Sequence, residues 1–310
     1  MERVRRSMSV SIVKTFDHRN GVSKALELIE NEIVASIGNR KKFLIKPNFV
    51  STRTSLAATP VEAVEATIAF ISSRFSPSEI LVAESPAIGS FRDGLKNFGY
   101  YKLRDLFKNV EFIDLDEYEH QRFVLVDESN REFEVYVSKL LLDKSYVVVS
   151  PCRAKTHDTV IVTLSIKNIV MGAIKRGWKH EMHKGYYSIN YNIAKLATHL
   201  MPDIGIVDGV EAMEGNGPIS GTSKKWGVVF ASTNPVNLDA VVAYAMGFNP
   251  MDIGYLYFLW KWGYGEIDIS KIRVVGESIE SIKTVFKPHS TYRSQLSWKN
   301  TAMKLGQLSP

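Results

Sequence analysis

Short apolar runs recur along this chain, each followed by a polar stretch and then by apolar positions at helical spacing. Residues 8–15 alternate and carry β-branched side chains, predicting a strand, and 21–38 predict a helix stopped by Gly38. Phe43, Leu44 and Ile45 form the next run; it ends in Lys46, Pro47 and Asn48 and a Ser/Thr-rich loop. Thr59, Pro60 and Glu62 then read as N-cap, first-turn proline and first-turn acid of a helix over 61–75. A strand over 79–85 leads through Glu84, Ser85 and Pro86 into a helix over 91–100.

Between 110 and 137 the pattern predicts a strand and then a hairpin turning at 127–130, an edge feature or flap. A helical turn and the Val-rich run 145–151 follow. Beyond 184 come a helix ended by Pro202, a strand leading into a polar Gly-bearing loop near 208–221, and another strand. A turn at Asn234 and Pro235 opens a helix containing Asp239, which reads either as a cap-region acid or as a cleft acid. A helix over 251–262 and a strand near 271–275 complete the pattern. Residues 286–310 lack strong periodicity and read as a tail or a homo-oligomer contact.

This succession predicts an α/β fold: a doubly wound, mostly parallel sheet with helices on both faces and an inserted β-hairpin. Nothing resembles a linker, so 1–285 are taken as a single domain with a central cleft, with 1–150 and 151–285 as two lobes if it divides. If the strands are parallel neighbours, the polar segments after them converge on one cleft.

At 310 residues, with 45% hydrophobic and 23% charged positions, the composition is that of a soluble globular enzyme. The formal charge of +6 is concentrated in 151–184, where seven Lys or Arg face two acids. Such a concentration behind a buried strand points to an anionic ligand. A run such as 175–184 is ordinarily a solvated helix face, but Thr, Lys, His and Asn directly after a Val-rich strand are poor core fillers. Cys152 is the single cysteine, so cysteine-built zinc sites and iron–sulfur clusters within one chain are not expected. That usage, with no apolar leader or membrane-span pattern, predicts a cytoplasmic protein without membrane contact.

Lys155 and Lys46 are candidate anion anchors, with Lys167 and Asn168 orienting the ligand. His157 is the candidate acid/base, because an unperturbed imidazole titrates nearest neutrality. Lys155, Lys167 and Asp208 join it in the candidate catalytic set. Asn48, Thr59, Glu84, Ser85, Thr156 and Asn216 complete the candidate binding set with Lys46 and Asn168. Asp208, Glu211 and Glu214 offer a proton relay or the ligands of a divalent cation; His180 and His183, three residues apart, are further metal candidates.

The fragments IKPNFV, VAESPA, FRDGLKNFGY, KTHDTVIVTLSIKN, VDGVEAMEGNGPISGT and STNPVNLDAVVAYAMGF resemble, in order, the hallmark segments of the domain-of-unknown-function 362 family over roughly 40–250. The resemblance implies no settled reaction. Many family members are described as iron–sulfur proteins with cysteine-rich segments, from which this chain departs. The KTH and TLSIKN layout is also loosely similar to lactate-racemase-type enzymes with a nickel-bearing nucleotide cofactor.

The expectation is an enzyme for a small carboxylate or phosphate, of isomerase, lyase or hydrolase type rather than an oxidoreductase. One alternative is a nucleic-acid-binding module using 151–187, with Trp178, Tyr186 and Tyr187 as stacking platforms and steep salt dependence as its mark. The other is a cofactor-carrying or nickel-nucleotide racemase-like protein.

Overall fold

The computed structural model describes residues 8–308; the charged start, 1–7, lies outside them. Strand β1 (Val10–Lys14) is followed by α1 (His18–Glu27), which Asp17 caps by accepting the Asn20 N–H. The single helix expected over 21–38 is thus two, with α2 (Glu30–Ile37) after a break at Leu28 and Ile29. Then come β2 (Lys42–Ile45), α3 (Val61–Phe75) and β3 (Glu79–Glu84), followed by α4 (Phe91–Asn97), α5 (Lys102–Leu106) and β4 (Val110–Asp114). Thr59 is not the cap of α3; Pro60 stands there, and the Thr59 hydroxyl instead ties Asn48 N to Pro151 O.

The hairpin is β5 (His120–Val126) with β6 (Glu132–Ser138), and α6 (Lys139–Leu142) leads to β7 (Tyr146–His157). After β7 come β8 (Ile161–Thr163), α7 (Ser165–Ala173), α8 (Tyr186–Leu200), β9 (Ile204–Glu214), β10 (Thr222–Lys224) and β11 (Val228–Ser232). The chain continues through α9 (Pro235–Ala245), α10 (Gly254–Lys261), β12 (Val274–Gly276), α11 (Ile279–Ile282), α12 (Tyr292–Gln295) and α13 (Trp298–Lys304).

The large sheet runs β12-β1-β11-β9-β7-β2-β3-β4, with β8 and β10 hairpinned onto β7 and β9. From β9 to β4 all neighbours are parallel; β11 is antiparallel to both β9 and β1. Every residue of β7 is buried, as a strand covered on both faces requires. On one face Phe43, Ile45, Ile80, Val82, Val147 and Ile206 pack under α1–α4. On the other Leu44, Leu81, Val148, Val207 and Phe230 pack under α7–α10. The sheet is therefore α/β, mostly parallel and covered by helices on both sides.

Two expectations change. The hairpin is neither an edge nor a flap of this sheet: it is a separate two-stranded sheet with Leu125, Val135 and Val137 in the core. Tyr136 O accepts the Lys175 N–H at 2.8 Å, so the hairpin braces the 3₁₀ turn Arg176–Met182. Nor is 286–308 a tail. Phe286, Trp298 and Ala302 are buried, and Trp298 Nε1 donates to Asp252 O. Its helices are too short to show periodicity, yet each seats one or two anchors in the core.

Candidate functional site

The polar segments after β2 and β3 and the end of β7 do converge. A cavity of about 290 Å³ at the carboxyl ends of these strands, closed on one side by α7, is lined by Asn48, Glu84, Ser85, His157, Lys167 and Asn168. Asp158, Thr163, Lys179, His180, His183 and Pro218 complete its polar wall and rim. A more open concavity of about 440 Å³ beside β1 and α1 contains none of the unpaired buried polar atoms described next.

Lys167 is buried, and its ammonium has no hydrogen-bond partner among the described residues. Burial lowers it to about 8, with Asp158 opposing and Lys179 and Lys46 adding to the shift. Lys179 donates to Ser85 O and is also lowered by burial to about 8. Three shielded side-chain atoms on the cavity wall, Ser85 Oγ, Asp158 Oδ1 and Thr163 Oγ1, have no hydrogen-bond partner. Buried polar atoms are normally paired, and three unpaired ones stand around this one hollow.

Lys46 and Lys155, expected to be the anchors, lie beneath the cavity instead. Lys46 Nζ donates to Glu84, to Pro47 O at 2.9 Å and to Asn168 Oδ1 at 2.9 Å, so its three protons are used. Lys155 Nζ is held by Asn48 Oδ1 and by Ala57 O at 2.8 Å, and burial lowers it to about 7. Asn168, on α7, also donates to Lys46 O and Ser150 Oγ, so it locks α7 to the strand ends. Gly172 lets α7 approach: a Cβ there would lie 1.7 Å from Lys46 Cε.

His157 lies on the cavity wall, but its surroundings differ from those assumed. Burial, and then the Lys167 charge, lower the imidazole to about 3, so it is neutral at physiological pH. The Thr159 N–H approaches Nδ1 at 3.1 Å. Asp158 Oδ1 stands 2.9 Å from the same Nδ1 without hydrogen-bond geometry. A ring that titrates so far below neutrality is not a base poised there.

Asp208 leaves the group altogether. Strand alternation puts it on the face of Ile206 and Val210, under α1, where Oδ2 meets His18 Nδ1 at 2.6 Å and Oδ1 accepts the Val210 N–H. Glu211 pairs with Arg153 and Ser223, while Glu214 pairs with Lys224 and accepts the Lys287 N–H. These carboxylates do not converge, and among the described residues no group of three His, Cys, Asp or Glu is placed to hold a metal. His180 and His183 both reach the rim, but His180 pairs with Glu181 and no third donor joins them. Thr156 is buried, donating to Gly215 O, and exposed Asn216 accepts the Ser290 N–H.

Asp239 proves to be a cap: its carboxylate accepts the Ser165 N–H, the Ser165 hydroxyl and the Ile166 N–H. The start of α7 is therefore already satisfied. Of the three residues expected as stacking platforms in 151–187, two are engaged within the fold and Tyr186 is half-buried. Tyr187 is buried against Tyr191 and Phe258, and Trp178 packs on Tyr136 at 4.8 Å.

The sequence profile of the family described as Domain of unknown function (DUF362) matches residues 43–244. The chain belongs to this family. That span carries every polar residue on the cavity wall. Among curated proteins the chain is 26% identical over 261 residues to the thylakoid-associated protein sll1697 of Synechocystis sp., covering 79% of this chain and 76% of that one. Among solved structures it is similar to a crystal structure of a Thermotoga maritima protein at 14% identity and a TM-score of 0.35, over 61% of this chain and 49% of that one. The likeness of layout to lactate-racemase-type enzymes gains nothing from these comparisons. Among the described residues, no helix is long and apolar enough to cross a membrane.

Proposed function

We propose that the cavity binds a small carboxylate or phosphate and that Lys167 exchanges a proton with it. The reading rests on one observation: the unpaired ammonium of buried Lys167 and three orphaned polar atoms line the same 290 Å³ hollow. Protonated Lys167, with Lys179 at the rim, attracts the anion. Asp158 Oδ1 only accepts, so the fitting ligand carries a hydroxyl or ammonium beside its charge. With Lys167 at about 8, roughly a quarter of it is neutral near pH 7.5, which suits a group that both takes and returns a proton. Such chemistry is of isomerase or lyase type.

The test is calorimetric titration and thermal shift of the full chain with inorganic phosphate and with malonate. Support would be saturable binding of either probe in the native protein and its loss in Lys167→Met. Binding that survives Lys167→Met unchanged, or no binding of either probe, overturns the reading.

Buried, unpaired Cys152 supports a cytoplasmic location. The cyanobacterial relative is named for the thylakoid, so fractionation decides: sedimentation with membranes after a high-salt wash would contradict the cytoplasmic placement.

A further inference from the structure

Residues beyond 244 lie outside the family match, yet one buried side chain among them grips the site. The turn between β7 and β8, residues 158–160, follows His157 directly and carries Asp158. It ends at Ile161, whose φ of +68° lies in the left-handed region that β-branched residues avoid. Gln295, from α12, spans this turn. Its Oε1 accepts the Ile161 N–H at 2.5 Å and its Nε2 donates to His157 O at 2.8 Å.

Thr291 reinforces the grip, its hydroxyl donating to Asp158 O at 2.7 Å while accepting from Gln295 Nε2. The same segment holds the loop on the other side of Thr156. Gly215 N donates to Lys287 O, Lys287 N donates to Glu214, and Gly215 O accepts from Thr156 Oγ1.

We infer that Gln295 is a positioning residue of the site, its amide fastening the strained turn so that His157 and Asp158 face the cavity. An amide suits the task because it presents an acceptor and a donor side by side, closing the turn as a pair of ladder bonds would. A carboxylate lacks the donor; a thioether supplies no strong partner for either group. Without the clasp, Ile161 relaxes to negative φ and the intervening residues swing with it. This assignment rests on the anion-site reading for its purpose, but not for its geometry.

The test uses the full chain carrying Gln295→Glu or Gln295→Met, each with and without Ile161→Gly, since glycine adopts φ of +68° without help. The first readout is the NMR titration of His157, identified by its loss in His157→Gln; the groups around the ring are Asp158, Lys167 and His183. The second is affinity for phosphate and malonate. Opening the clasp lets water reach the ring, so the His157 midpoint rises from about 3 by about one unit or more. Anion affinity falls about tenfold, and Ile161→Gly shrinks both effects. If the Gln295 variants do not fold, Thr291→Val, which removes one bond to the turn, is expected to shift the same midpoint less.

An unchanged His157 midpoint in folded variants, or equal losses with and without Ile161→Gly, overturns the inference. A shifted midpoint in a protein that binds neither probe upholds the clasp and sinks the anion reading instead.

Discussion

Lys46 and Lys155 are buried beneath the cavity, Lys167 and Lys179 at its wall and rim, and the two pairs could hardly be more differently employed. Every proton of Lys46 meets an acceptor supplied by the protein, and Lys155 is held by a side-chain amide and a carbonyl. Lys167 meets none among the described residues, and Lys179 meets a single carbonyl. A buried cation whose bonds are filled is architecture. One left open, among orphaned acceptors and hydroxyls, is what the proposed anion site rests on. Counting lysines in a basic stretch cannot make this distinction; counting their unfilled bonds can.

The sharpest way to break the contrast is Lys46→Met. It leaves the Glu84 carboxylate buried without its partner, and a loss of about 3–5 kcal/mol is expected in chemical denaturation. A native-like midpoint would show that the buried Lys46–Glu84 pair does not hold the strand ends together. Lys167→Met should act the other way, with melting unchanged or raised and phosphate or malonate binding abolished. A smaller effect is expected with pH. Burial lowers Lys167 and Lys179 to about 8 from 10.5, so between those values the folded chain binds fewer protons than the unfolded one. Their contribution to stability therefore rises as pH climbs from 8 towards 10.5, and Lys167→Met should flatten that rise in melts across the range. Anion affinity should fall over the same interval as the ammonium is lost. Least of all, Asn216→Ala should change stability by about 0.5 kcal/mol or less and leave probe binding as it was, since this exposed side chain faces the C-terminal segment.

The parallel block was legible because Phe43–Ile45, the run at 80–83 and the Val-rich run at 146–149 are apolar throughout, as strands buried on both faces must be. The convergence of Asn48, Glu84, Ser85, His157 and Lys167 followed from that order alone. Asp208 was misplaced by treating a strand as though it ended where its polarity began. β9 continues to Glu214, and a period of two sends residue 208 to the side of Ile206 and Val210. Lys179 belongs to a run that resembles a solvated helix, and its role depends on the brace from the β5–β6 hairpin. Asp158 could have been suspected as the acid next to His157. Gln295 gave no signal, because one glutamine in an aperiodic segment is distinguished only by the turn it touches.

The position of β1 in the sheet dictates an order of events during synthesis. This strand, made before the rest of the sheet, pairs with Val228–Ser232 and Val274–Gly276, so more than two hundred residues must follow it before either edge is occupied. The block from β2 to β9 can assemble earlier, on the emerging chain, but it does so with its flank open. Gln295 arrives later still. A nascent chain can thus hold a nearly complete sheet while the turn at 158–160 remains unfastened until α12 has been made.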